Sequence, residues 1–121
     1  MEPAKIDLTV YKGSTFSKKF QWKTGEPLMP VDLTGCSVRM QIRKTVTSST
    51  ILAEMNTTNG MLTIPDASQG EIKLSIPANT SSNFGFTSGV YDIEVAYPDN
   101  TTVYRLIEGS FTAVPEVTRN A

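Results

Sequence analysis

The chain has 121 residues, of which 11 are Lys or Arg and 12 are Asp or Glu, so its net charge is −1. This length suits one hydrophobic core, and residues 1–121 are therefore predicted to form a single domain. The near-neutral charge argues against nucleic acid as the main partner, because a phosphate-binding surface needs an excess of Lys and Arg.

The amino-terminal third is predicted to form three strands, over residues 6–11, 15–22 and 38–43. Polar and apolar residues alternate in each, as expected of strands with one buried and one wet face. Lys18 interrupts the apolar phase of the second strand. Residues 23–30, which contain a glycine and two prolines, are predicted to form a loop.

The middle of the chain is predicted to contain two short strands and one longer one. The short strands cover residues 50–55 and 61–64, on either side of Asn59-Gly60, a dipeptide typical of tight turns. The longer strand covers residues 71–76 and alternates strictly.

The last third is predicted to hold one helical turn within residues 77–84 and two further strands. The first strand alternates over residues 91–95, and a turn at 97–100 connects it to the second, at 102–114. The apolar phase shifts within that last strand, which predicts a β-bulge at Gly109.

These patterns predict an all-β fold, an immunoglobulin-like antiparallel β-sandwich of about seven to nine short strands. Residues 86–91 resemble the corner before the penultimate strand of such domains, where a tyrosine hydroxyl bonds to upstream backbone. Gly89 and Tyr91 are therefore predicted to have structural roles. The same applies to Asp32 and Gly35, because Asp caps turns and Gly accepts a positive φ.

The sequence contains few of the residue types that form catalytic sites. The chain has no histidine and only one cysteine, Cys36. Without histidine it has no His-activated nucleophile, and with a single cysteine it can form neither a structural zinc site nor an intrachain disulfide. Asp92 and Glu94 project from one strand face roughly 7 Å apart. A solvated face opposite Lys or Arg is the preferred interpretation, and a glycosidase-like pair is the alternative. We expect no enzyme activity, cofactor, metal or small-molecule substrate.

Two groups of surface residues have both a structural and a binding interpretation. Arg39, Arg43 and Lys44 form a short basic row, interpreted as part of a mixed-charge sheet surface or, alternatively, as a contact patch for a partner protein. Four aromatic residues are expected in or around the core, with a sugar-binding surface as the alternative. These are Tyr11, Trp22, Tyr97 and Tyr104.

Four segments, in chain order, carry a resemblance to small tailed-bacteriophage structural proteins, including the amino-terminal module of baseplate upper proteins. They are Lys-Gly-Ser-Thr-Phe within 8–16, Asp-Leu-Thr-Gly and the following strand within 30–43, Gly-Val-Tyr-Asp-Ile-Glu-Val at 89–95, and Pro-Glu-Val-Thr-Arg at 115–119. The resemblance implies an immunoglobulin-like module that docks on a larger phage assembly and performs no catalysis.

The resulting expectation is a virion structural protein of the tail, baseplate, fibre attachment point, neck or collar. A head decoration protein and a carbohydrate-binding module are the alternatives. Its partners would be other phage virion proteins and copies of itself in a symmetric assembly. No apolar stretch has a signal sequence's position or a membrane span's length, so we expect synthesis in the host bacterial cytoplasm and no membrane partner.

The contact surface is expected to include both chain termini, because they have the least else to pack on. Residues 1–5 and 115–121 are predicted to be extended contact segments. The predicted interface residues are Met1, Lys5, Arg39, Arg43, Glu116 and Arg119.

Overall fold

The computed structural model describes residues 2–119, in which strands account for 47% and helices, including a 3-10 turn at Ala67–Gln69, for 7%. The prediction of an all-β fold is confirmed. The described residues form eleven strands and one short α-helix, α1 (Ala78–Ser82). In chain order the strands are β1 (Ala4–Lys5), β2 (Leu8–Tyr11), β3 (Phe16–Gln21), β4 (Lys23–Thr24), β5 (Met29–Pro30), β6 (Ser37–Arg43), β7 (Ala53–Asn56), β8 (Leu62–Thr63), β9 (Glu71–Ile76), β10 (Ser88–Ala96) and β11 (Val103–Val114).

The strands form two main sheets and one small hairpin. The larger sheet has the order β1-β11-β10-β6-β7. β2 also pairs with β11, on the same side as β1 but further along the strand. The smaller sheet has the order β3-β9-β8. The hairpin pairs β4 with β5 and occupies the segment 23–30 that was predicted to be a loop.

The ladders are antiparallel, except that β1 and β2 both run parallel to β11. An antiparallel arrangement was expected throughout, and this edge differs from it. No short hairpin loop ties the start of the chain to β11, so the connection does not force an antiparallel direction.

The apolar faces of both sheets belong to one hydrophobic core. The strict alternation predicted for β6, β9 and β10 is confirmed, because every second side chain of these strands is buried. The core also includes apolar residues of β2, β3 and β11. Burial of these side chains stabilises the fold by about 25 cal/mol per Å² of apolar surface.

A β-bulge interrupts the pairing of β10 with β11. Ile93 lies opposite Ile107, but the next residue, Glu94, lies opposite Arg105. Leu106 is therefore the extra residue, and both Leu106 and Ile107 are buried. The bulge lets two consecutive apolar side chains face the core, which explains the change of phase in the sequence.

The prediction of a bulge at Gly109 is wrong. Gly109 lies in regular register opposite Tyr91. A Cβ atom at this position would overlap the backbone carbonyl group of Ile6. The glycine is therefore needed because the amino-terminal segment passes close to β11 here.

The turn predictions at residues 32–35 and 77–84 are confirmed. The Asp32 carboxylate accepts hydrogen bonds from the backbone and the hydroxyl of Thr34, and Gly35 has a φ of 78°. The predicted helical turn is α1.

The turn at Asn59-Gly60 connects strands of different sheets, since β7 pairs with β6 and β8 pairs with β9.

Candidate functional site: the outer face of the larger sheet

The outer face of the larger sheet carries charged residues of both signs in direct cross-strand contact. Arg39 of β6 lies opposite Glu94 of β10, and their side chains form an ion pair of 3.0 Å. Arg105 of β11 approaches Asp92 of β10 at 3.4 Å. Asp92 and Glu94 thus each face an arginine. This arrangement agrees with the preferred interpretation, in which the two carboxylates lie on a solvated sheet face opposite Lys or Arg.

The charge network continues to the amino-terminal edge of the sheet. Glu108 of β11 lies 3.5 Å from Arg105 and 3.7 Å from Lys5 of β1. Exposed pairs of this kind contribute about 0–1 kcal/mol each, so their main effect is on the charge pattern of the surface. Burial raises the pKa of Asp92, with a further contribution from Glu94, while Arg105 lowers it.

Arg43 lies on the same face and is held by uncharged groups. Its guanidinium donates to the backbone oxygen of Ser48 at 2.8 Å and to the Gln41 side chain at 2.9 Å. Gln41 in turn donates to Glu54 of β7 at 2.6 Å. Arg43 therefore supports the loop that follows β6, while its partner-binding role stays a prediction.

Three of the predicted interface residues come together on this face. Lys5 and Arg43 border a shallow depression of about 450 Å³ above Tyr91, and Arg39 belongs to the neighbouring ion pair. The remaining lining residues include both acids and bases, so the depression has no dominant charge.

The amino-terminal segment is anchored beneath this depression by Tyr91. The buried Tyr91 hydroxyl donates a 2.6 Å hydrogen bond to the Ile6 carbonyl oxygen. The acceptor lies at the start of the chain and not in the residues that directly precede β10. Burial raises the pKa of Tyr91 far above its usual value. Gly89 is needed nearby, because a Cβ atom there would lie 2.7 Å from the Arg43 carbonyl oxygen.

The predicted carboxy-terminal contacts lie elsewhere. Residues 115–119 follow the end of β11, and the Glu116 carboxylate lies against the backbone of Gly13. Arg119 donates to the Glu116 backbone oxygen at 2.6 Å. Val117 is 93% exposed. Met1 and residues 120–121, which belong to the predicted contact segments, lie outside the described residues.

The four aromatic residues do not form one surface. Tyr104 packs edge-to-face against both Trp22 and Tyr97, with ring centroids 5.9 Å apart in each case. Tyr11 lies beside Val114 at the other end of β11, about 30 Å away at the usual strand rise. A sugar-stacking platform built from all four is therefore not present.

Cys36 is half-buried and packs against the core. Burial raises the pKa of its thiol, and the carboxylates of Asp32 and Asp99 raise it further. The thiol therefore lacks the electropositive setting of a reactive cysteine. Within residues 2–119 no three His, Cys, Asp or Glu side chains are close enough to hold a metal ion.

The sequence did not reveal that the smaller sheet has an open edge at β3, which pairs only with β9 in the described part of the chain. The signal available beforehand was Lys18, the charged residue that interrupts the apolar phase of this strand. Its meaning depends on which strand lies beside β3, and that is a property of the whole fold.

The described helices include none with the length and apolar character needed to cross a membrane. No protein-family model matches the sequence, and comparison with curated proteins gives no match.

Proposed function

We propose that the chain is an immunoglobulin-like docking module of a tailed-bacteriophage particle and has no catalytic role. The strand order carries the fold part of this proposal. β11, β10, β6 and β7 correspond to the G, F, C and C′ strands of a variable-type domain, and β3, β9 and β8 correspond to B, E and D. Tyr91 then occupies the penultimate strand, as in that fold.

The docking part of the proposal is supported by the surface of the module. Two large apolar residues of the β4–β5 hairpin, Leu28 and Met29, are 66% and 61% exposed. Val46, in the loop after β6, is also mostly exposed. A rigid framework that presents apolar side chains on loops can bury them against a neighbour without reorganising.

Within the particle, the module joins other virion proteins and further copies of itself. The resemblance of residues 8–16, 30–43, 89–95 and 115–119 to baseplate and related structural proteins favours the tail, baseplate, fibre attachment point or neck. Head decoration is the alternative location. The copy number per particle separates the two, since hundreds of copies indicate the head and multiples of three, six or twelve indicate the tail or neck.

The test is deletion of residues 115–121 in the gene of an intact phage. Residues 115–119 belong to no strand and Val117 is almost fully exposed, so the thermal midpoint of the purified protein should change little. We expect fewer copies of the shortened chain in purified particles, as measured by quantitative mass spectrometry.

The Val117→Ser variant keeps all residues of the segment 115–121 but removes its exposed apolar side chain. Reduced incorporation of this variant would show that the Val117 contact is needed, whereas normal incorporation would show that another part of the segment is. Normal incorporation of the shortened chain would contradict a contact role for residues 115–121. Absence of the full-length chain from purified particles would contradict the proposed function itself.

A further inference from the structure

At β3, the smaller sheet presents an edge whose backbone groups pair with no other strand within residues 2–119. The backbone N–H of Trp22 bonds to Gly70 on the β9 side, at 2.9 Å. Because hydrogen-bonding direction alternates along a strand, residues 16, 18 and 20 also face β9. The N–H and C=O groups of Ser17, Lys19 and Gln21 therefore point away from the sheet, towards the open edge.

A groove of about 410 Å³ runs beside this edge. β3 forms one side, and Ala4 and Ile6 of the amino-terminal segment form the other. Its apolar lining includes Trp22 and four buried core residues, Phe20, Ile72, Leu106 and Ile107. The groove thus lies where the two sheets leave a gap, and an added strand would close it over the core.

The charges along the groove are all of one sign. Lys18, Lys19 and Lys23 line it, and no acidic residue of the described chain does. Lys19 has an acidic neighbour outside the groove, Glu71 at 3.5 Å. Lys18 lies on the same side of β3 as Phe20, with its ammonium group 5.8 Å from the ring centroid.

This charge pattern decides what can pair with β3. A second copy of β3 would bring Lys18 and Lys19 against lysines of the same kind, and lysine on an open edge is a known protection against self-pairing. An apolar strand without charges would bury the Lys18 ammonium group without a partner. A strand that carries carboxylates avoids both the repulsion between lysines and the burial of an unpaired ammonium group.

We propose that β3 accepts an extended acidic segment of a partner protein by β-strand addition. The segment bonds to the backbone of residues 17, 19 and 21. Its apolar side chains cover Phe20 and Leu106, and its carboxylates face Lys18 and Lys23. This inference rests on the proposed docking function, for which it names the edge and the chemistry of the partner.

The first test supplies the strand within the same molecule. The hexapeptide Ile-Thr-Glu-Glu-Val-Thr is fused ahead of residue 1 of the full chain through eight Gly and Ser residues, a linker that spans on the order of 16 Å. We expect the thermal midpoint to rise by about 3–6 °C over a fusion with the linker alone. The amide protons of Ser17, Lys19 and Gln21 should exchange more slowly with solvent.

Charge reversal supplies the matched controls. The same fusion with Lys in place of both Glu should give no increase in midpoint. In the Lys18→Glu/Lys23→Glu variant the preference should reverse, so that the basic peptide stabilises and the acidic one does not. Equal midpoints for the acidic and basic fusions, or unchanged exchange at the three amides, would overturn the inference.

The second test identifies the occupant in the particle. A photoreactive residue is placed at position 19, and the cross-linked product is sequenced from purified virions. Capture of an acidic segment from another protein supports the inference, whereas capture of a second copy of this chain overturns it. Failure of the full chain to enter particles counts against the proposed function, while the fusion experiment still decides whether β3 accepts an acidic strand.

Discussion

The Tyr91 hydroxyl connects the penultimate strand to the first residues of the chain. Its hydrogen bond to Ile6 is 2.6 Å long and partly buried, and the Tyr91 side chain belongs to the core. In Tyr91→Phe the Ile6 carbonyl loses this donor, so we expect the free energy of unfolding to fall by about 1 kcal/mol or somewhat more, as measured by urea denaturation. Tyr97→Phe is the matched control, because the Tyr97 hydroxyl has no hydrogen-bond partner among residues 2–119. An equal effect of both variants would assign the loss to something other than this bond.

Asp99 gives stability a dependence on acid pH. Its side chain accepts hydrogen bonds from the Thr102 hydroxyl and from the backbone of Thr101 and Thr102, and these lower its pKa to about 2. Folding therefore favours the ionised form, which stabilises above pH 4 and loses its effect as the pH falls towards 2.

Asp99→Asn preserves an acceptor oxygen but removes the charge. We expect it to lower the thermal midpoint at pH 7, with the difference from the wild type shrinking between pH 4 and pH 2. Comparing the two proteins at each pH cancels the contributions of other carboxylates. A difference that stays constant over this range would show that the Asp99 charge does not contribute.

At the scale of elements, Ser81 joins α1 to the turn between β2 and β3. Its hydroxyl accepts from the backbone N–H of Gly13 at 3.0 Å, and two carbonyl oxygens lie within reach of its proton, that of Ser14 at 3.0 Å and that of Ala78 at 3.2 Å. Ser81 is the sole fully buried polar residue within residues 2–119. Ser81→Ala should therefore lower the free energy of unfolding by about 1–2 kcal/mol in denaturant titrations, since the partners of its hydroxyl lose their bonds.

Ser82→Ala tests whether the helix itself is responsible. Ser82 is exposed, lies on the same helix and bonds only to Asn79 within it. Both substitutions change helix propensity equally, so a similar loss in both variants would contradict the bridging role of Ser81.

The elements differ in how far their sequence determines them. β6, β9 and β10 each pair on both sides and have one buried face, so their burial alternates and period-2 reasoning located them. The turn at 32–35 was also predictable, because Asp32 and Gly35 satisfy local requirements. These features depend on residues that are close in the chain.

The remaining features depend on distant parts of the chain. The parallel pairing of β1 and β2 with β11 has no local signal, and it is the reason why position 109 must be glycine. The bulge at Leu106 likewise depends on the register with β10. On the outer face, the sequence identified Arg39, Arg43 and Lys5 as polar, but only the strand order brings them onto one surface.

At the scale of the whole molecule, the open edge of β3 is a risk as well as a binding surface. The net charge is −1, so overall repulsion between molecules is weak and gives little protection against association. Protection must then come from local charges, and Lys18 is the lysine placed on the apolar side of the open strand.

Replacing Lys18 with Ile should convert this edge into a self-pairing one. We expect Lys18→Ile to associate on the order of tenfold more tightly than the wild type, in sedimentation equilibrium over a range of concentrations, because the cost of opposing lysines is removed. Lys44→Ile is the control, since it adds the same apolar side chain to an exposed loop outside the strands. If both variants associate equally, added hydrophobicity alone is responsible. If Lys18→Ile behaves as the wild type does, Lys18 does not protect the edge, and the preference of β3 for an acidic strand loses its physical basis.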